Sequence, residues 1–458
     1  MFDPHIAEIR FGTGLSPMAK PPQGITAMLE GLTGTDPMAD RFPIEPYDQF
    51  RHRVAAFNIV RRAERKNRGT ALEEQKAQER KSLVKAARTT YATTFRNVLL
   101  RRIHSETGLR ERLAFFWADH FTAHGKVMIV KWATSSYIEE AIRPNISGTF
   151  ADLLVAAVTH PLMLNYLDQQ QSVGPNSKRA TPKNKRGLNE NLAREVLELH
   201  TLGVDGPYNQ EDVRQLAELF TGMGYDREGG FRFDTRAVEP GRETVLGKSY
   251  GANGGLRDIQ NALRDLAKHP VTARHIALKL VRHFISDTPD PQLVKALETT
   301  FLETGGDLLA LYKTMLDHPA SWDIRAQNVK PPLDFMASAL RALDIGERYL
   351  ARSREKDLRN ILYLPLQIMG QPWEKPNGPD GWPEENSHWI TPQFMAARLQ
   401  WALAAPQALR KTLPDPRAFA SAALGNRLTQ DVRFAAQAAE NRWEGIALVL
   451  ASPAFQRQ

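Results

Sequence analysis

Residues 191–203, Asn191-Leu192-Ala193-Arg194-Glu195-Val196-Leu197-Glu198-Leu199-His200-Thr201-Leu202-Gly203, read as one amphipathic helix. At 100° per residue, Leu192, Val196 and Leu199 form its packing stripe, and Asn191, Glu195 and Glu198 share a second face with Arg194 beside them. Gly203 is placed to end this helix in a left-handed cap, and Asn209 with Asp212 to start the next. Outward from here the period repeats. Tyr47 to Arg68, Glu73 to His104, Arg110 to Thr122, Asp212 to Thr221, Val271 to Ile285, Pro332 to Leu343 and Pro392 to Ala404 each carry an apolar stripe, with Gly/Pro clusters between them. The expected fold is mainly α, a multi-helix array. Residues 226–252 break the pattern: Phe231-Arg232-Phe233-Asp234 alternates, and Glu243 to Tyr250 is placed to return beside it after Pro240-Gly241. This predicts one small inserted β-hairpin.

The chain has 458 residues, 42% hydrophobic and 24% charged, a composition that supports a packed core rather than disorder. No run of about 18 apolar residues occurs, so no transmembrane segment is expected. With no cysteine, disulfides, thiolate nucleophiles and cysteine-held metal centres are excluded. The start, Met1-Phe2-Asp3-Pro4-His5, lacks the basic and apolar stretches of a secretory signal, so the default expectation is the cytoplasm. Net charge is +8, but residues 51–102 alone hold 15 Lys/Arg against 4 Glu, a local +11 that leaves the remainder near neutral. This basic helical segment, residues 47–105, suits an anionic partner or the solvated face of a long helix. Within residues 51–102 the aromatic residues are few, Phe57, Tyr91 and Phe95, so nucleic-acid binding is poorly supported.

Three histidines recur where one helical run ends and another begins, in Thr159-His160-Pro161, Lys268-His269-Pro270 and Asp317-His318-Pro319, and Ala451-Ser452-Pro453 takes the same place. They read as punctuation, the histidine facing a helix C-terminus and the proline opening the next helix, rather than as a metal set. His120 and His124 have the four-residue spacing of a helical metal pair, but Leu113, Phe116, Trp117 and His120 also make a core stripe. Residues 370–392 form a Trp/Pro/Gly-rich loop with Trp373, Trp382 and Trp389, whose faces suit a sugar or peptide pocket and equally suit filling gaps between helices.

The signature segment, residues 186–224, continuing through Val213, Leu216, Phe220 and Gly222, resembles that of the bacterial domain-of-unknown-function family 1800. Phe116-Trp117 with His120-Phe121, Met163-Leu164 with Tyr166-Leu167-Asp168, Thr272-Ala273-Arg274 with Lys279-Leu280, and Gly381-Trp382-Pro383 with Trp389-Ile390 are similar to its other motifs, in order. The resemblance covers nearly the whole chain and implies a single unit over residues 1–458. Where that pattern has His and Asn, this chain has Ala118 and Asp119, which removes support for a metal site on that helix. Relatives appear beside sulfatase-like proteins and are often exported, so the resemblance implies a sulfatase-like partner and keeps export open. No agreed reaction or cofactor comes with it. From the residues, the leading expectation is a hydrolase-like enzyme with catalytic Glu195, Glu198 and His120, acting on a polymer such as a polysaccharide. Asn191, Arg194, Trp117, Trp373, Trp382 and Trp389 are its expected substrate-binding residues, and no metal ligand is assigned. The alternative is a non-catalytic helical scaffold that docks a partner protein through the basic segment.

Overall fold

The helical periods become helices at nearly the expected bounds in a computed structural model, which describes residues 1–181, 186–251, 255–324 and 328–458. Tyr47–Lys66 and Ala71–His104 form a long antiparallel pair, followed by Gly108–His120, Pro270–Phe284, Pro332–Ala342 and Pro392–Leu409. None of the described helices is long and apolar enough to cross a membrane.

The His-Pro punctuation is structural, but the histidines serve the following helix rather than the dipole of the preceding one. Nδ1 of His160, His269 and His318 accepts the backbone N–H of Leu162, Val271 and Ala320 at 3.1, 3.2 and 3.2 Å. Ser452 caps Phe455 in the same way at 3.3 Å. Each cap satisfies one orphan donor of the first turn, and the proline behind it has no N–H to satisfy.

The single hairpin expected across residues 226–252 is instead two. Strand β1 (Met223–Tyr225) pairs antiparallel with β2 (Phe231–Phe233), and β3 (Glu243–Val245) with β4 (Lys248–Tyr250). Two local turns decide this. Asp226 Oδ1 accepts from the N–H groups of Glu228 and Gly230, folding β2 back onto β1. Leu246 and Gly247 both take positive φ, 49° and 76°, as a two-residue turn matched to strand twist requires. Ala252, the last residue of the expected hairpin segment, lies outside the described residues.

Apolar side chains gather into two cores. One is built around Phe116, Trp117, Phe150, Leu192, Phe220 and Ile276; the other joins the C-terminal half of Ala71–His104 to the helices from Pro332 onward through Phe95, Phe335, Trp401 and Ile446. A buried polar seam runs between them. Both carboxylate oxygens of Asp334, 6% exposed, accept guanidinium N–H groups, one from Arg102 and one from Arg112. Burial alone would raise this carboxyl, but Arg112, then Arg102 and His283, hold it below its ordinary value. Arg341 donates to the carbonyls of Gly14, Ile103 and Ser105 at 2.7, 2.7 and 2.8 Å. Arg101 and Arg102 of the basic run are therefore internal, and the run's exposed charge lies nearer the helix-pair tip, at Arg62, Arg65, Lys66, Arg68, Lys81, Lys85 and Arg88.

Asp334→Ala removes the counter-charge of two buried guanidiniums at once. Chemical denaturation should show a loss of about 3–5 kcal/mol; unchanged stability would mean that the seam does not hold the cores together.

Candidate functional site

The signature segment is α-helical over Asn191–Glu195 and then widens into a π turn over Val196–Thr201. The Leu202 N–H reaches back five residues to the Leu197 carbonyl at 2.9 Å, and Thr201 Oγ1 donates to Val196 O at 2.6 Å. A wide turn changes the side-chain period just where the polar residues lie. Arg194 bonds Glu198 at 3.2 Å, Glu190 at 3.3 Å and Gln210 at 2.9 Å. Glu195, half-buried, has no such ion pair among the described residues, and its pKa is pushed up to about 7 by burial first, then by Glu198 and Asp380, against a smaller pull from Arg194. Tyr166 shares this environment and is pushed to about 12 by burial, Glu195 and Asp380. Asn191 lies exposed at the start of the helix.

The Trp/Pro/Gly-rich loop folds over the end of Gly108–His120. Gly381 makes this approach feasible: its φ is +83°, and a Cβ there would lie 2.6 Å from Asp119 Oδ2. The next residue, Trp382, donates its backbone N–H to Asp119 Oδ1 at 2.9 Å. Under this cover the Asp119 carboxyl rises to about 8, through burial first and then Glu384, with Asp380 adding to the rise and Lys279 and the Trp382 N–H opposing it. Lys279 is lowered by burial, with Asp119, Glu384 and Asp380 acting against that shift. Glu384 accepts from His283 Nδ1 at 2.9 Å, while Arg112 Nη2 lies 3.4 Å from His283 Nε2. A guanidinium only donates, so Nε2 accepts and the ring proton sits on Nδ1, toward Glu384. Asp380 acts electrostatically on both Glu195 and Asp119, so the signature segment and the loop border a common region of acidic charge.

Not every expected site residue reaches it. Trp117 is fully buried and donates to Tyr312 Oη at 2.6 Å; Trp389, 1% exposed, donates to Pro383 O at 3.0 Å. Both fill the interior instead of offering a face to substrate. His120, 2% exposed, contacts the His200 carbonyl through Nε2 at 3.2 Å. The His120–His124 pair does not form, because the helix ends at His120 and His124 packs on Tyr166, ring centroids 4.5 Å apart. His120, His200 and His275 cluster with ring centroids 6.0 and 6.2 Å from His120. Burial and Lys279 keep all three neutral, His200 at about 3 and His275 at about 4. Among the described residues, no three His, Asp or Glu side chains are arranged to hold a metal ion.

Asp119, Lys279, Asp380 and Glu384 were not among the sequence candidates. Asp119 and Lys279 each lie within a family motif, but only the fold brings them together. A separate pair, Lys330 and Ser338, 3.3 Å apart, is 3% and 2% exposed, so both belong to the polar seam rather than to a cleft.

The Gly381–Asp119 contact makes a double-mutant cycle informative. Gly381→Ala alone should destabilise through both its positive φ and the clash. In an Asp119→Ala background its cost should fall to the backbone strain, about 1–2 kcal/mol. Additive costs would mean that the loop does not press on Asp119.

No curated protein and no solved structure matches the chain. Over residues 10–457 it matches the family described as "Protein of unknown function (DUF1800)". The order of motifs along the chain and the near-complete coverage agree: the chain belongs to the DUF1800 family.

Proposed function

We propose that the chain is a hydrolase-like acid–base enzyme whose reacting groups are Glu195 and Asp119. The observation that carries this reading is the pair of raised carboxyls, at about 7 and about 8, around the shared neighbour Asp380. Between those values Asp119 keeps its proton while Glu195 has largely lost its own. The pair then supplies an acid and a base at once. Glu195 takes a proton from an attacking water, Asp119 gives one to the leaving oxygen, and Lys279 stabilises negative charge developing between them. Glu198 serves by holding Arg194. A polymer such as a polysaccharide is the substrate class, with Trp382, half-buried beside Asp119, as the surface for a sugar face.

A polysaccharide library read by released reducing ends tests this, followed by a pH profile on any substrate found. Base function at Glu195 needs its ionised form, so activity rises through about 7; acid function at Asp119 needs its proton, so activity falls above about 8. Glu195→Gln should lower activity by roughly a hundredfold or more and abolish the acidic limb, with the melting temperature nearly unchanged. A variant that melts several degrees early yet turns over normally would contradict the assignment.

A second reading, a scaffold, is favoured by one observation: seven exposed Lys/Arg side chains along the outer part of the helix pair Tyr47–Lys66 and Ala71–His104. Here the partner is an acidic protein surface, for which a sulfatase-like protein is the first candidate. Charge reversal at Arg62, Arg65, Lys81 and Lys85 should then abolish a salt-sensitive association, while Glu195→Gln leaves it intact. Capture that is unchanged by the reversal would remove this reading.

A further inference from the structure

Asp119 and Trp382 also form part of the wall of a cleft with a cavity volume of about 100 Å³, which neither Glu195 nor Glu198 lines. It opens between the two cores. Val98 comes from the long basic helix, Phe115 and Ala118 from Gly108–His120, and Leu366 from the C-terminal body. One edge is polar and unsatisfied. Among the described residues, Gln371 Nε2, Trp373 Nε1 and Glu374 Oε2 are buried without a hydrogen-bond partner, and Gln371 and Trp373 are only 3% and 7% exposed. Native interiors rarely leave such groups unpaired, because each gives up its water without compensation.

The partners of the remaining atoms fix what this edge offers. Gln371 Oε1 accepts the Leu333 N–H at 2.8 Å, so the amide presents its NH₂ end. Glu374 Oε1 accepts from Ser135 Oγ, and burial pushes this carboxyl to about 8, so near neutral pH it too carries a proton to donate. With the indole N–H, the edge holds three donors within four consecutive positions, 371–374. The guanidiniums in the wall are already matched: Arg101 with Glu139, Arg102 with Asp334, Arg143 with Glu111. Each is therefore held by a carboxylate rather than left free for an anion. A cation would meet donors where it needs acceptors.

We propose that this cleft binds a small uncharged amphiphile, an alkyl or aryl body against Val98, Phe115, Ala118 and Leu366 with an amide- or ester-type carbonyl received by Gln371, Trp373 and Glu374. This goes beyond the acid–base reading: the cleft shares Asp119 and Trp382 with it but not Glu195, and Gln371, Trp373 and Glu374 play no part in that reading.

Titration calorimetry on the full chain with three probes of equal length, N-methyloctanamide, octanoate and octylammonium, tests the proposal. The amide should bind saturably at one site per chain, and both charged probes at least about tenfold more weakly. Trp373→Phe keeps the ring but removes the N–H, and should weaken amide binding about fivefold. Ala118→Phe should block the cleft; if that variant does not fold, as judged by circular dichroism, Trp373→Phe decides alone. Glu195→Gln should bind the amide as the wild type does, which distinguishes amide binding from base function at Glu195. Absence of saturable amide binding, equal or tighter binding of either charged probe, or a Trp373→Phe variant that binds like the wild type would overturn it.

Discussion

At the seam between the two cores a single carboxylate, Asp334, faces two guanidiniums that come from different helices. Arg102 ends the long basic helix, and Arg112 sits on the helix that delivers Asp119 to the cleft. Arg112 also touches His283, which bonds Glu384 in the tryptophan loop. One chain of buried polar contacts thus runs from the packing of the cores to the cover of the candidate site. Because removing one member of a buried ion pair strands the others, the loop, the helix and the seam are held as a unit rather than as separate parts.

This arrangement explains why neighbouring carboxylates behave differently. Glu198 lies within reach of Arg194, whose guanidinium also holds Glu190 and Gln210 and so fixes the polar face of the signature segment. Glu195, one position along, meets burial and other acids instead, and Asp119 is covered by the Gly381–Trp382 backbone. The nearby histidines are driven neutral, so Lys279 is the cation that Asp119 meets most directly. Raised acids near a buried amine are the pattern in which perturbed pKa values cluster, and the loop and helix that cover Asp119 keep it from relaxing toward solvent.

Much of the architecture was legible because helices announce themselves locally. Apolar period, Pro at the first turn and Asn, Asp or His at the cap all lie within a few residues, which is why Pro270–Phe284 and Pro332–Ala342 fall within one residue of their expected bounds. The strands failed in pairing rather than in place, because the turn at Leu246-Gly247 outcompetes the longer return to Phe231. At the site, Glu195 and Glu198 stood out as clustered carboxylates, but the π turn that separates their environments leaves no mark in a 3.6-residue period. Trp117 and Trp389 misled because an indole suits a sugar pocket and a helical interior equally, and only the partners of their N–H groups distinguish the two. Asp119 stayed hidden for a different reason: its environment is made by residues more than 150 positions away.

The claim on which the functional account rests is that burial, with Glu198 and Asp380 beside Glu195 and Glu384 and Asp380 beside Asp119, raises both carboxyls far above the ordinary range. Carboxyl ¹³C chemical shifts, followed through a pH titration and assigned with Glu195→Gln and Asp119→Asn, measure this directly. The account predicts midpoints near 7 for Glu195 and near 8 for Asp119. Both groups titrating near the usual value of about 4 would contradict it.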